Sequence, residues 1–207
     1  MKVVDLFSGC GGLSLGFEKA GFNIVAAFEW WDTAVKCYRE NFTHPVIQLD
    51  LSDTENAIKE IKKYAPDMII GGPPCQDFSH AGKRIENERA ELTESYAKII
   101  DAIRPSCFIM ENVDRAKKSQ AREIFKHAGY GLTEIVLDAS RCGTPQKRKR
   151  FICFGMIGKE DDFATEEFTR RLAPKSMTLR DYYGDKLGFE FYYRHPRNYN
   201  RRAVFSI

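Results

Sequence analysis

With 207 residues, 43% of them apolar and 29% charged, the chain has the composition of a globular protein with one core of ordinary domain size. Collagen-like, low-complexity and disordered classes are excluded, and no apolar run reaches the roughly 20 residues that cross a bilayer. The net charge of +3 is the balance of −3 over residues 1–146 and +6 over residues 147–207, which suits either a solvated basic surface or a polyanionic partner.

The first run, Lys2–Phe7, is too short and too poor in cations for a secretory leader and reads as a strand, so the expected compartment is the cytoplasm. Further apolar runs follow at 23–28, 46–49, 67–71, 106–110, 132–137 and 151–157, with amphipathic stretches expected as helices at 12–20, 32–41, 53–64, 90–103 and 117–128. Asp53 followed by Asn56 marks a helix start, and Pro66 and Pro105 are stops. Near-continuously apolar strands alternating with helices predict an α/β fold with a doubly wound, mostly parallel, Rossmann-like sheet. The runs 132–137 and 151–157 are expected to pair as a hairpin. After Gly158 the texture changes, which predicts a catalytic and cofactor-binding domain over 1–158. Residues 159–207 then form a linker and the start of a second, incomplete small domain for target recognition.

Six cysteines stand at 10, 37, 75, 107, 142 and 153, with no Cys-x-x-Cys pair to suggest zinc or redox chemistry. No metal is expected, and most are read as small core hydrophobes.

Strand one runs into Asp5-Leu6-Phe7-Ser8-Gly9-Cys10-Gly11-Gly12, a glycine turn that lets backbone approach a ligand at the carboxyl edge of the sheet. Ser14 replaces the third glycine of a dinucleotide fingerprint, which favours another adenosine-containing cofactor over NAD. At the end of the second strand Glu29 can accept ribose hydroxyls and Trp30 can stack on adenine; Asp50 ends the third strand. The fourth ends in Gly71-Gly72-Pro73-Pro74-Cys75-Gln76, where two prolines force an exposed turn before a cysteine, a placement suited to a nucleophile. Glu111 ends the fifth strand among Phe108, Ile109, Met110 and Val113 and is placed to donate a proton. In an extended Gln146-Lys147-Arg148-Lys149-Arg150 segment, Gln146, Arg148 and Arg150 would face one way and the lysines the other.

In this order the motifs DLFSGCGG, Glu29-Trp30, Asp50, GGPPCQDFS, Glu-Asn-Val and QKRKR resemble the C5-cytosine DNA methyltransferase family of bacterial restriction-modification systems. The resemblance implies S-adenosylmethionine as cofactor, S-adenosylhomocysteine as product and a flipped-out cytosine in duplex DNA as substrate. It makes Cys75 the nucleophile, Glu111 the contact to the cytosine ring, and Arg148 and Arg150 the arginines that steady ring and loop. Phe7, Gly9, Gly11, Gly12, Glu29, Trp30, Asp50, Leu51, Pro74 and Leu92 would line the cofactor. Gln76, Ser79, Lys83, Arg84 and Gln146 would meet DNA, the first four from a loop that closes over the base. Where the family has a glycine after the loop arginine, this chain has Arg89-Ala90. The family's target-recognition region and late Gly-Asn-x-Val helix are not found by Ile207. The expectation is therefore one part of a split enzyme or a shortened form, with a second polypeptide supplying the rest. An RNA cytosine methyltransferase, or a non-catalytic cofactor-binding subunit, is the alternative reading.

Overall fold

The computed structural model describes residues 1–74, 92–112 and 120–184 in full, and the backbone alone of 85–91, 191–194 and 202–205. Gln76, Ser79, Lys83, Arg84 and Cys75 itself lie outside the described residues.

Two compact units emerge, one of residues 1–137 with 149–171, the other of 138–148 with 172–207. The first is built on a seven-stranded sheet. Its strands are β1 (Lys2–Leu6), β2 (Asn23–Glu29), β3 (Val46–Gln48), β4 (Met68–Gly71), β5 (Cys107–Asn112), β6 (Tyr130–Asp138) and β7 (Lys149–Ile157). Their order is β3-β2-β1-β4-β5-β7-β6. β1 through β5 pair in parallel and β7 lies antiparallel on β5. This is the doubly wound, mostly parallel sheet expected from the alternation, and β6 and β7 are neighbours as the hairpin required.

The connecting helices are α1 (Gly12–Lys19), α2 (Asp32–Asn41), α3 (Thr54–Lys62), α4 (Ile85–Ile103) and α5 (Ala121–His127), with α6 (Thr165–Arg171) following β7. Asp53 caps α3 by accepting the Asn56 N–H at 3.2 Å. The residues before both stop prolines, Ala65 and Arg104, turn the chain out of the helical region with φ of 44° and 58°. α4 starts five residues before the expected position, because Ile85–Glu91 is too polar to reveal a helix by its periodicity.

Side-chain alternation divides β1 between two layers. Val4 and Leu6 join Phe28, Ile69, Phe108, Ile100 and Phe125 under α3, α4 and α5. Val3 joins Ile24, Met68 and Ile70, against which Leu13 and Phe17 of α1 pack. Asp5 shares the face of Val3, a carboxylate buried between apolar neighbours along Val3–Leu6. Phe108 stacks within 4.2 Å of Phe125 and meets Tyr130 edge-on at 5.1 Å. Gly155 on β7 leaves the space its ring fills.

In the second unit a 3-10 turn, Ala139–Arg141, follows Asp138, whose carboxylate accepts the Ser140 N–H at 3.0 Å. Met177 and Ala173 donate backbone bonds to Ser140 and Arg141. The short helix α7 (Leu179–Tyr183) opens on a reciprocal cap between Thr178 and Asp181. β8 (Phe191–Arg194) and β9 (Arg202–Phe205) form an antiparallel pair.

Candidate active site

The carboxyl ends of β1, β2, β4 and β5 lie side by side, and each carries one of the expected motifs. At the end of β1, Phe7 has φ of 56°, rare for a bulky residue, and throws the chain outward into the glycine turn. Gly9 and Gly11 follow at φ of 55° and 90°. A Cβ on Gly9 or Gly12 would meet nothing within 4 Å among the described residues, so open space lies over both there. Gly11 has a different purpose: a Cβ there would lie 2.7 Å from Phe42 Cζ and 2.9 Å from Tyr38 Cε2, so the turn is packed hard on α2.

Glu29, only 7% exposed, is the organising acid of this edge. Its Oε2 accepts the Gly9 N–H at 2.9 Å, and its Oε1 accepts those of Trp30 and Trp31 at 3.0 and 2.9 Å. Three backbone donors fix the carboxylate while each oxygen keeps further acceptor capacity. Beside it Trp30 stands 64% exposed, its indole uncovered. Asp50 is exposed and accepts the Ser52 N–H at 2.9 Å, whereas the Leu51 side chain is packed in the core. Leu92, on α4, is half-buried. Ser8 Oγ is buried with no hydrogen-bond partner among the described residues.

Both glycines ahead of the proline pair have a local reason. A Cβ on Gly71 would lie 2.7 Å from the Leu6 carbonyl and from Tyr96 Cε2; the Tyr96 hydroxyl donates to the Ile109 carbonyl at 3.0 Å. Gly72 lies against Glu111, whose Oε2 would be 3.3 Å from an added Cβ. The Asn112 amide donates to the Pro73 carbonyl at 3.2 Å and ties the end of β5 to the segment that leads to Pro74, the last described residue before Cys75.

Glu111 departs from its expected surroundings. It is part-exposed, and its Oε1 lies 2.9 Å from Arg150 Nε rather than among apolar side chains. The pairing arises because Glu111 faces Ile152 in the β5–β7 register, two residues from Arg150. The basic run is not one extended segment either: β7 begins only at Lys149. Gln146 and Arg148 are exposed in the second unit, where Arg148 donates its N–H to Asp138 Oδ1 at 3.3 Å.

Beneath the glycine turn lies a chain of side chains that the motifs do not reveal. Ser14 Oγ donates to Asp5 Oδ2 at 2.6 Å, and the Tyr38 hydroxyl lies 2.6 Å from Ser14 Oγ and 2.5 Å from His44 Nε2. His44 Nδ1 is 3.0 Å from Glu18. Burial pushes the Asp5 carboxyl up from 3.8 to about 7, against the lowering effect of Ser14, and pushes the Tyr38 phenol up as well. Burial lowers His44, opposed by Glu18. The sequence signal was there in part: an acid inside an apolar strand needs a partner.

An apolar groove of about 470 Å³ beside α1, lined by Leu13, Phe17, Met68, Ile109, Phe154 and Met156 among others, carries no charged side chain and is unsuited to a polar cofactor. Among the described residues, no group of three or more His, Cys, Asp or Glu could hold a metal ion. No helix among them is long and apolar enough to cross a membrane.

Sheet order defines a Rossmann-like α/β protein, and the glycine turn and two acids at its carboxyl edge make that edge the candidate site. A family model for C-5 cytosine-specific DNA methylases matches residues 1–204, and the chain belongs to that family. It is 57% identical to the Type II methyltransferase M.HindV of Haemophilus influenzae over 100% of this chain and 70% of that protein. It is 53% identical to M.HgiDI of Herpetosiphon aurantiacus over 100% and 69%. Among solved structures, an E. coli prophage protein assigned as a DNA modification methyltransferase matches with a TM-score of 0.69 and 31% identity, over 87% of this chain. This chain spans 53% of that structure's length.

Proposed function

We propose that this chain transfers a methyl group from S-adenosylmethionine to C5 of a flipped-out cytosine in duplex DNA, in the cytoplasm where that DNA lies. The observation that carries the proposal is the Glu111–Arg150 pair beside the Gly72 backbone, with Asn112 tethering Pro73 one residue before Pro74-Cys75. An acid thus lies beside the Gly72-Pro73 segment that leads to the proposed nucleophile.

The cofactor fits the residues present: open space over Gly9 and Gly12 admits a ligand against the backbone, Glu29 retains acceptor capacity for ribose, and the Trp30 face is bare. Phe7, Asp50, Pro74 and Leu92 complete its proposed surroundings, with Leu51 contributing backbone only because its side chain is packed in the core. When bound, S-adenosylmethionine supplies an electrophilic methyl that C5 accepts. Cytosine C5 is too poor a nucleophile unaided, so the Cys75 thiolate adds to C6 and drives electron density onto C5. Glu111 holds the exocyclic amine and a proton at N3, where charge develops. Arg150 keeps the Glu111 carboxyl aimed at the ring, and Arg148 is the proposed contact to ring and phosphate. Solvent water takes the C5 proton, and the C5–H electron pair re-forms the C5–C6 double bond and expels Cys75 as thiolate. Gln76, Ser79, Lys83, Arg84 and Gln146 are the proposed DNA contacts.

M.HindV and M.HgiDI extend beyond the matched region by about a third of their length. We place target recognition in such a region, on this polypeptide or on a second one.

The test uses duplexes carrying 5-fluorocytosine with S-adenosylmethionine, and a matching RNA as control. Fluorine cannot leave as a proton does, so a denaturation-resistant protein–DNA adduct is expected, and none with Cys75→Ser. An undiminished adduct in that variant, or an adduct on RNA alone, refutes the proposal.

A further inference from the structure

Beneath the glycine turn five side chains stand in a row: Asp5 of β1, Ser14 of α1, Tyr38 of α2, His44 on the approach to β3, and Glu18 of α1. Asp5, Ser14 and Tyr38 are fully buried, while Glu18 is exposed and opens the row to solvent. The four contacts along it measure 2.6, 2.6, 2.5 and 3.0 Å. Each needs one hydrogen between its two heavy atoms. Ser14, Tyr38 and a neutral imidazole bring one apiece, and carboxylates bring none. Three hydrogens cannot fill four contacts, so the row closes only with one further, acidic proton.

Two donor orders satisfy that count. With Asp5 ionised, Ser14 donates to it, Tyr38 donates to Ser14, and a doubly protonated His44 donates to both Tyr38 and Glu18. With Asp5 protonated, the order reverses from Asp5 to His44, and a neutral His44 donates to Glu18 alone. Burial raises the Asp5 carboxyl and lowers His44, which draws the proton toward Asp5. Glu29, at the end of β2, raises Asp5 further, and Asp5 and Glu18 raise the Tyr38 phenol.

The same residues seat the turn. The Tyr38 ring stacks on Phe42 at 4.4 Å and meets His44 edge-on at 5.4 Å. Gly11 rests on Tyr38 and Phe42 with no room for a Cβ, and Ser14 lies in the first turn of the helix that Gly12 opens. We infer that the row stores one proton, and that Tyr38 is the positioning residue through which this proton sets the glycine turn for the cofactor. When the proton leaves, one contact holds two facing lone pairs, Tyr38 shifts and the turn above it loosens. The consequence for the cofactor rests on the function proposed above.

Two measurements test this. Carboxyl carbon-13 NMR of the unliganded protein follows Asp5, and nitrogen-15 NMR follows His44, identified by the signal lost in His44→Gln. Both are expected to move together with one midpoint, near the value of about 7 to which Asp5 is raised. Tyr38→Phe keeps the ring on Phe42 and under Gly11 but removes two contacts. Ser14 and neutral His44 fill the remaining two, so Asp5 and His44 should titrate separately. Calorimetric titration with S-adenosylhomocysteine, in buffers of different ionisation enthalpy, should show binding about fivefold weaker at pH 8 than at pH 6, with net proton uptake at pH 8. That ratio follows when binding raises the midpoint by about one pH unit. Tyr38→Phe should bind equally at both pH values, without uptake. Separate midpoints in the wild type, pH-independent wild-type binding, or a pH effect that survives in Tyr38→Phe overturns the inference. If no S-adenosylhomocysteine binds at either pH, the cofactor reading falls and the positioning role of Tyr38 with it, while NMR alone still decides the stored proton.

Discussion

Replacing Asp5 by asparagine isolates the energetic cost of the one carboxylate buried within β1. In the folded chain Asp5 is fully buried, Ser14 satisfies Oδ2, and Oδ1 has no hydrogen-bond partner among the described residues. Burial is the main cause of its rise from 3.8 to about 7, with nearby Glu29 adding to it. Above pH 3.8 the unfolded chain releases this proton while the folded chain keeps it, so stability falls as pH rises and levels off above pH 7. The full difference is about 4 kcal/mol, and between pH 5 and pH 8 about 2–3 kcal/mol. Asparagine keeps an acceptor for Ser14 and cannot ionise. Its unpartnered amide adds a penalty of about 1–3 kcal/mol that does not depend on pH. Urea unfolding of both proteins at pH 5 and pH 8 cancels every other titrating group. Asp5→Asn should gain about 2–3 kcal/mol on wild type between the two pH values. A stability difference equal at both would refute the burial argument.

Four further substitutions probe the same edge of the sheet. Gly11→Ala must place a Cβ at φ of 90° against Tyr38 and Phe42, costing about 2–4 kcal/mol. Gly12→Ala, with open space around it, should unfold near the wild-type temperature while weakening cofactor binding; equal melting losses would contradict this division. Arg150→Leu removes the guanidinium 2.9 Å from Glu111. It should lower kcat/KM for methyl transfer by about 100-fold while shifting stability by no more than about 1 kcal/mol, as expected of a part-exposed pair. Asn112→Ala strands the Pro73 carbonyl, a loss of about 1–3 kcal/mol, and should slow the 5-fluorocytosine adduct more than it weakens cofactor binding. Unchanged adduct kinetics would show that the tether does not position the Cys75 segment.

Much of the fold was legible because its signals are local. Apolar runs separated by amphipathic stretches fix a parallel α/β sheet, since only strands covered on both faces are apolar throughout. Glycines at a strand end, an acid at the next and a Pro-Pro-Cys turn mark the carboxyl edge for the same reason: each residue type meets a backbone constraint visible within a few positions. What the chain could not reveal locally was pairing across the fold. That Glu111 meets Arg150 depends on β7 lying antiparallel beside β5. The Asp5–Ser14–Tyr38–His44 chain depends on β1, α1, α2 and the approach to β3 converging beneath one turn. The cysteines make the same point. Cys107 and Cys153 are core hydrophobes as their surrounding runs indicate, but Cys10 and Cys142 are exposed. Sequence by itself determined which chemistry-bearing residues end the strands; tertiary structure decided which of them touch, because contact between distant side chains is set by packing.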